Sequence, residues 1–296
     1  MKIYYYKDSS GNFGDDLNAW LWPKLFPDMF DGYSHHAGKL REQNEIEKDL
    51  FIGIGTLLNN HIPAKPNKWV FGSGTGYAPP PTIDNSWHFY FVRGPLTCKT
   101  LGIDTKYAIT DSGALVRTLY KNKSECLKST RFGFMPHCQS AGNGNWEQVC
   151  EDLNIKYIDP RNSVDNILES ITSIEVLLTE AMHGAIVADA LRVPWVPLKL
   201  YDYILDYKWQ DWCLSLDLTY TPYIVPSLWD NANKKNVFQL SKSFIKKQQI
   251  HHILKKTMRH ASPILSKSSV IENRTSRMLE NVEIFKTDHK NIHWSN

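Results

Sequence analysis

The stretch VLLTEAMHGAIVADAL (176–191) predicts a strand, a loop and a helix in direct succession. Residues 176–178 are a short apolar run of strand-forming type, and the chain turns polar at Thr179 and Glu180. The residues that follow are apolar on nearly every side, which predicts a buried helix. His183 falls in the first turn of that helix.

The same succession recurs along the chain. Short apolar runs rich in β-forming residues alternate with helical patterns, and nearly every run ends in glycine or a polar cluster. This rhythm is typical of parallel sheets built from βα units, because helices on both faces make such strands apolar throughout. We therefore predict an α/β fold. The other runs are KIYYY before GNFGDD, DLFIGIG before TLLNN, KWVFGSG before TGY, WHFYFVRG before PLTCKTLG, and later KYAITDSG, RFGFMPH and IKYIDP.

A polar stretch without periodicity, KNKSECLKST (121–130), predicts a boundary between two domains. We expect two Rossmann-like domains that face each other across a cleft. The residues after Ala261 are polar, and we expect them to be loosely held. The predicted division is an N-terminal domain (1–125), a C-terminal domain (126–230), a basic helical segment (231–262) and a polar tail (263–296).

Composition indicates a folded protein of ordinary type. The chain has 296 residues, of which 42% are hydrophobic and 12% aromatic, enough for sizeable cores. Its five cysteines are odd in number and form no CxxC pair, so neither a disulfide framework nor a zinc site is indicated. No signal peptide and no apolar stretch of about 18 to 20 residues is present. We expect a soluble, cytoplasmic protein, at most peripheral at the inner face of a membrane.

Charge is concentrated in one segment. Residues 231–271 contain nine Lys or Arg and no Asp or Glu, although the whole chain has a net charge of only +3. Apolar residues recur there at roughly helical spacing, which predicts basic amphipathic helices. Such helices would bind an anionic membrane surface, or pack their apolar stripe on the protein's own domains. Nucleic acid is not expected as a partner, because no recognition motif accompanies the charge.

Two side chains mark candidate anion sites at predicted carboxyl ends of strands, where ligands bind in such sheets. Arg93 follows an aromatic strand and offers a planar fork of donors to a carboxylate or phosphate. His183 lies beside the N–H groups of a helix N-terminus, which favours a bound anion. The alternatives are a surface ion pair for Arg93 and a partly buried, hydrogen-bonded imidazole for His183. His137 is a further candidate ligand contact.

The segment GNFGDDLN (11–18) places two glycines and two carboxylates between the first strand and the first helix. We expect either Asp15 or Asp16 to cap that helix and the other to bind a hydroxyl or act as a base. The turns GIGTLLN and GSGTG allow backbone to approach a ligand, but lack dinucleotide or P-loop spacing. The substrate-binding candidates from these three segments are Asn12, Gly14, Asp16, Gly55, Thr56, Ser73 and Gly74.

The aromatic stretch YDYILDYKWQDW (201–212) suits either core packing or the faces of sugars, and Lys208 within it is a candidate anion contact. No HExxH, GxSxG or metal-spaced cluster appears. No metal or cofactor is therefore predicted.

Taken in order, these motifs resemble the polysaccharide pyruvyl transferase family. The resemblance runs over about 11–212 and rests on GNFGDDLN, GIGTLLN, FGSG, VRGPLTCKTLG, TDSGAL, EAMHGAIVADALRVPWVPL and YDYILDYKW. It implies a fold similar to GT-B glycosyltransferases and the transfer of pyruvate from phosphoenolpyruvate onto two hydroxyls of a sugar, free or lipid-linked, as a cyclic ketal. By motif match, Arg93 and His183 are implied as the donor-binding and catalytic pair. For that chemistry Asp15 or Asp16 would accept a hydroxyl proton, and Asp15 is our catalytic candidate. Thr179, Glu180, His137 and Lys208 are further substrate-binding candidates.

We also expect Arg93 and His183 to face one another across the cleft. Two rival functions remain open at this point. The first is a GT-B-type glycosyltransferase that uses a nucleotide sugar. The second is a non-catalytic α/β subunit that anchors a polysaccharide assembly complex through its basic C-terminal segment.

Overall fold

The computed structural model describes residues 1–36, 48–121, 130–228 and 237–289, with backbone only at 35–36 and 237–244. These residues form ten strands, ten α-helices and two short 3₁₀ helices, Thr105–Tyr107 and Ser112–Leu115. The strands are β1 (Lys2–Tyr6), β2 (Tyr33–His36), β3 (Leu50–Ile52), β4 (Lys68–Phe71), β5 (Trp87–Phe91), β6 (Thr130–Met135), β7 (Lys156–Tyr157), β8 (Ile174–Thr179), β9 (Trp195–Lys199) and β10 (Tyr223–Ile224). The helices are α1 (Phe13–Leu25), α2 (Pro95–Leu101), α3 (Val116–Leu119), α4 (Cys138–Ala141), α5 (Trp146–Leu153), α6 (Val164–Thr172), α7 (Met182–Ala190), α8 (Asp206–Ser215), α9 (Val237–His260) and α10 (Ser268–His289).

The strands form two parallel sheets of five, which confirms the α/β prediction. The first has the order β2-β1-β3-β4-β5 and the second the order β7-β6-β8-β9-β10. Counted in the order of the chain, both sheets therefore have the doubly wound arrangement 2-1-3-4-5. All strand pairs are parallel; Ile3 of β1, for example, lies opposite Tyr33 on one side and Phe51 on the other. The GT-B-like arrangement of the two halves stays a prediction.

Each sheet belongs to its own compact unit. The first unit consists of the described residues within 1–120, 205–220 and 266–296, and the second of those within 121–204 and 221–265. The change of unit at 120–121 lies beside the predicted boundary. The predicted domains were contiguous, however, whereas the observed units are not, because α8 packs against α2, and α10 against β5, in the first unit.

An aromatic cluster fills the core of the first unit and holds α10 in place. Phe285 of α10 packs against Phe26, Phe51 and Phe71, with ring centroids 5.1 to 5.8 Å apart. Ile271, Met278 and Val282 of the same helix are also buried. The prediction of a loosely held tail is therefore wrong for residues 268–289, since their polar composition concealed an apolar stripe.

The second unit contains the segment from which the fold was predicted, and it confirms that prediction. β8 and α7 are the expected strand and helix, and the expected loop joins them. Every residue of α7 other than His183 is buried. The predicted basic helix is observed as α9. Its Ile250 and Leu254 belong to the core of this unit, together with Phe134, Trp146 and Leu178.

Candidate functional site

Strand order identifies one switch point in each sheet. In doubly wound sheets the ligand crevice lies outside the carboxyl ends of the strands where the order reverses. In the first sheet that point lies between β1 and β3, and in the second it lies between β6 and β8. The loops after these four strands, together with the first turns of the helices that follow them, carry most of the predicted site residues.

The loop after β1 is organised by Asn12, which is the N-cap of α1. Its Oδ1 accepts a hydrogen bond from the backbone N–H of Gly14 at 3.2 Å, and its Nδ2 donates to Oδ2 of Asp15 at 2.6 Å. Asp16 accepts the backbone N–H of Asn12 at 3.3 Å. The N-cap is thus an asparagine rather than either aspartate, because Asp15 and Asp16 already lie inside the first helical turn. From the fourth helical position, Asp16 accepts a hydrogen bond from the backbone of the N-cap residue.

The buried side chain of Asn18 joins α1 to the loop after β3. Its Oδ1 accepts the backbone N–H of Ile54 at 2.8 Å, and its Nδ2 donates to the carbonyl of Ile54 at 2.9 Å. Gly55 follows with φ of +129°, a conformation that favours glycine. A Cβ atom at Gly55 would lie 3.6 Å from Oδ1 of Asp15. The first loop and the glycine turn therefore lie close together at this switch point.

Asp15 has the most perturbed titration in this cluster. Desolvation by the surrounding protein raises the pKa of its carboxyl to about 8, while the charge of Lys208 opposes the shift. The Lys208 ammonium is buried and donates to the hydroxyl of Tyr77 at 2.6 Å. The ring of Tyr77 lies 4.9 Å from the same ammonium and is itself 59% exposed. The structure thus brings together Asp15 and Lys208, which are far apart in sequence, and adds an exposed tyrosine.

Arg93 is fully buried and hydrogen-bonded to protein. Its Nε donates to Oδ2 of Asp211 at 3.0 Å, its Nη1 to Oγ1 of Thr56 at 3.0 Å, and its Nη2 to the carbonyl of Thr75 at 2.8 Å. Gly74 packs directly under the guanidinium and leaves no space for a Cβ atom. Arg93 therefore does not present the open donor fork that the sequence predicted. It joins the end of β5 to the glycine turns instead.

The carboxylate that pairs with Arg93 also closes the N-terminus of α2. Oδ1 of Asp211 accepts the backbone N–H groups of Leu96 and Thr97, at 2.9 and 3.1 Å. α2 has no side-chain cap of its own, since its N-cap residue is Gly94. Helix N-termini favour anions. The N-terminus of α2 is thus occupied by a carboxylate of α8, the same one that pairs with Arg93.

Ser73 is fully buried and contributes to the framework of the glycine turns. Its hydroxyl donates to the carbonyl of Gly55 at 3.0 Å and accepts the N–H of Leu57 at 3.3 Å. The backbone N–H of Gly74 donates to the same carbonyl at 3.0 Å. In this structure Ser73 and Gly74 therefore hold the loop after β3 against the loop after β4.

In the second unit, Glu180 gathers three strand ends. Its Oε1 accepts the N–H groups of Leu200 and Tyr201 at 2.9 and 3.1 Å, and its Oε2 accepts the N–H of His137 at 3.2 Å and the hydroxyl of Ser140. Burial raises the pKa of the Glu180 carboxyl, although these hydrogen bonds act in the opposite direction. We predicted that Glu180 binds substrate. It lies fully buried at the end of β8, and its oxygens accept hydrogen bonds from backbone N–H groups and from the hydroxyl of Ser140.

The remaining predicted residues of this unit differ in exposure. Thr179 is fully buried, and its hydroxyl donates to the carbonyl groups of Met135 and Ala181, both at 3.0 Å. His137 is half-buried and caps the short α4 by accepting the N–H of Gln139 at Nδ1. His183 is half-buried in the first turn of α7. Arg93 and His183 belong to different units, and their pairing across a cleft stays a prediction.

Several polar side chains of these networks were not identified from the sequence. The hydroxyl of Tyr203 is hydrogen-bonded to the hydroxyl of Ser140 at 2.7 Å, and the hydroxyl of Tyr207 to Oγ1 of Thr75 at 2.9 Å. Asp211 carried one available signal, a carboxylate between two tryptophans in an aromatic stretch, which indicates a buried acid with a partner. The set is Asn18, Thr75, Tyr77, Ser140, Tyr203, Tyr207 and Asp211.

Two common types of site are absent from the part of the chain that the structure describes. In that part, His, Cys, Asp and Glu side chains do not assemble in groups of three that would suit a metal ion. The helices described there are all too short or too polar to span a bilayer.

The fold and the site define a doubly wound α/β protein whose candidate proton-transfer and anion-binding side chains lie at the switch points of its sheets. The family model for polysaccharide pyruvyl transferase matches residues 2–200. The chain is 37% identical over 229 residues to the succinoglycan biosynthesis protein ExoV of Rhizobium meliloti (strain 1021), and the alignment covers 76% of this chain and 68% of that protein. No solved structure gives a significant match. The chain belongs to the polysaccharide pyruvyl transferase family, which indicates a pyruvyl transferase enzyme.

Proposed function

We propose that this protein transfers pyruvate from phosphoenolpyruvate to two hydroxyls of one sugar in an exopolysaccharide or its lipid-linked precursor, forming a cyclic ketal. The observation that carries the proposal is the cluster at the first switch point, where the Asp15 carboxyl lies beside Gly55 and is influenced by the positive charge of Lys208. Desolvation raises the pKa of this carboxyl to about 8, which places proton exchange near neutral pH. Lys208 supplies a buried positive charge to the same cluster. Family membership and the relationship to a succinoglycan biosynthesis protein support the substrate class.

The reaction requires proton transfer and charge stabilisation. Protonation of the methylene carbon of phosphoenolpyruvate makes C2 electrophilic, so that one sugar hydroxyl adds to it. The second hydroxyl then displaces phosphate. In the balanced reaction, one hydroxyl proton ends on the new methyl group and the other on the phosphate. A positioned acid or base contributes about 10² to 10⁴ in rate to such steps.

The side chains of each unit suit different parts of this chemistry. Asp15 in its acid form can give a proton, and the resulting carboxylate can accept one from a sugar hydroxyl. His183 opens α7, where helix N–H groups and an imidazole favour the phosphate or carboxylate of the donor. Arg93 acts as a positioning residue, because its hydrogen bonds hold Thr56 and Thr75 at the carboxyl ends of β3 and β4.

The test is a reaction of the purified protein with phosphoenolpyruvate and a panel of free and lipid-linked oligosaccharides. We expect release of inorganic phosphate together with a product heavier than the acceptor by one pyruvate minus water. His183→Ala is the negative control. Transfer from a nucleotide sugar without consumption of phosphoenolpyruvate would establish the glycosyltransferase alternative and refute the proposal.

A further inference from the structure

An apolar groove lies between α9 and the segment that follows β10, both in the second unit. Its volume is about 540 Å³. Most of the lining comes from α9 at helical spacing, and Pro226 closes the other side. The lining residues are Pro226, Ile245, Gln248, Gln249, His252 and Ile253, none of which is acidic.

Packing of α9 accounts for only part of its predicted apolar stripe. Ile250 and Leu254 are fully buried against the second unit, and Ile253 and Met258 pack partly against the same core. Ile245 instead remains 56% exposed. The stripe therefore divides between an inner face that stabilises the fold and an outer apolar side chain at the groove. Phe238 and Phe244, also part of the predicted stripe, lie outside the described side chains.

The chain after β10 adds a second exposed apolar element. Ile224 is 66% exposed, Val225 is buried and Pro226 is half-buried. Side chains of extended chain alternate between two sides, so Ile224 and Pro226 lie on the same side. Because Pro226 lines the groove, Ile224 extends the apolar surface beyond its edge.

Basic side chains continue this surface along α9. Lys255, Lys256 and Arg259 are exposed one to two turns after the groove. The segment 231–271 that contains α9 has no Asp or Glu to neutralise them. We call the surface formed by Ile224, Pro226, Ile245, Ile253, Lys255, Lys256 and Arg259 the basic groove face. It combines protruding aliphatic groups with positive charge that no acidic residue of the same segment offsets.

We propose that the basic groove face binds the surface of an anionic lipid bilayer. A helix of 24 residues is about 36 Å long and can lie along such a surface. Aliphatic side chains then enter the interface while lysine and arginine meet anionic headgroups. Side chains that protrude by more than half suit a fluid interface better than the complementary pocket of a protein partner. The edge strand β10 has only two residues, too few to pair with an added strand.

The direct test is co-sedimentation of the full chain with vesicles of phosphatidylcholine, with and without phosphatidylglycerol. We expect binding that requires phosphatidylglycerol and that weakens at high salt, since each basic side chain contributes about fivefold to the affinity at low salt. Equal binding to neutral vesicles, or no binding to anionic ones, overturns the proposal.

Variants locate the binding surface. Ile245→Asp and the triple change Lys255→Glu, Lys256→Glu and Arg259→Glu should each reduce binding at least about tenfold. The matched controls are Ile284→Asp, at an isoleucine of α10 that is 52% exposed, and Lys106→Glu in the first unit; both should bind as the parent does. Circular dichroism checks that all variants fold.

Two outcomes would assign the face to another occupant. If the groove variants bind vesicles as the parent does, the membrane contact lies elsewhere and the proposal fails. If the parent chain does not bind vesicles and is a dimer that Ile245→Asp converts to a monomer, the basic groove face is an interface between two copies of the chain. None of these measurements depends on pyruvyl transfer.

Discussion

Arg93 and Asp211 form an ion pair in which Nε of Arg93 donates to Oδ2 of Asp211 at 3.0 Å and neither side chain is exposed to solvent. The pair joins the end of β5 to α8, although 118 positions separate the two residues. Since Asp211 also accepts two N–H groups of α2, it fixes the start of that helix. The basic side chain that the sequence marked for a ligand thus stabilises the first unit.

Removal of the Asp211 carboxylate should therefore destabilise the protein. Asp211→Ala leaves the guanidinium buried without its counter-charge, and we expect the free energy of unfolding to fall by about 3 to 5 kcal/mol. Arg93→Lys should also destabilise and impair transfer, because one ammonium cannot reach Asp211, Thr56 and Thr75 together. Urea unfolding measures both. Gln210→Ala, at the exposed neighbouring position of α8, is the control; equal stability of Asp211→Ala and this control would contradict the account.

The raised pKa of Asp15 predicts a specific dependence of stability on pH. An aspartate titrates near 3.9 in an unfolded chain, whereas the pKa of Asp15 in the fold is about 8. Between these pH values the native state therefore binds a proton that the unfolded chain does not bind. The contribution of this proton to stability is full below about pH 4 and is lost as pH rises to about 8. Asp15→Asn should flatten this dependence. Unfolding of both proteins between about pH 5 and about pH 9 tests it.

The control for this series is Asp16→Asn, at the adjacent carboxyl of the same helical turn. Asp16→Asn should retain the dependence of the free energy of unfolding on pH that Asp15 produces. If Asp15→Asn and the parent protein change stability with pH in the same way, Asp15 does not carry the extra proton.

His183→Ala should abolish pyruvyl transfer without unfolding the protein. α7 is held by its buried aliphatic residues, including Ile186 and Val187, so the imidazole is not needed for packing. We expect the rate to fall by about 10² to 10⁴ with an unchanged unfolding midpoint. The control is His61→Ala, because His61 is exposed. Near-normal turnover of the His183 variant would rule out its assigned role.

Phe285→Ala should show that α10 is an integral part of the first unit. The ring contacts Phe26, Phe51 and Phe71, and its removal leaves a cavity that costs about 3 to 5 kcal/mol. Ile284→Ala, on the exposed side of the same helix, should change the free energy of unfolding by less than about 0.5 kcal/mol. Thermal unfolding of the two variants compares them directly. Similar midpoints would mean that α10 contributes little.

Local sequence patterns predicted most of the strands and the position of several site residues, although KYAITDSG, expected as a strand, begins in the 3₁₀ helix Thr105–Tyr107 and contains no strand. The apolar run at 176–178, the polar loop and the small-sided helix appear as β8 and α7, because strand and helix formation follow short-range periodicity. The glycine turns and the two aspartates also lie at carboxyl ends of strands. Doubly wound sheets place those ends in a common crevice, but the sequence did not predict that Asp15 lies beside Gly55.

Burial and charge partners were decided by the tertiary structure alone. No local pattern pairs Arg93 with Asp211, brings Lys208 to Asp15 or places Phe285 in the aromatic core, since each contact forms only where the chain returns to the first unit. Without knowledge of their neighbours, the same side chains are consistent with ligand binding and with a structural role in the fold. An arginine free of a carboxylate would bind an anion, whereas one already paired in a dry interior holds the fold. The sequence thus determined which chemistry is present, and the long-range packing determined which of those groups remain available for it.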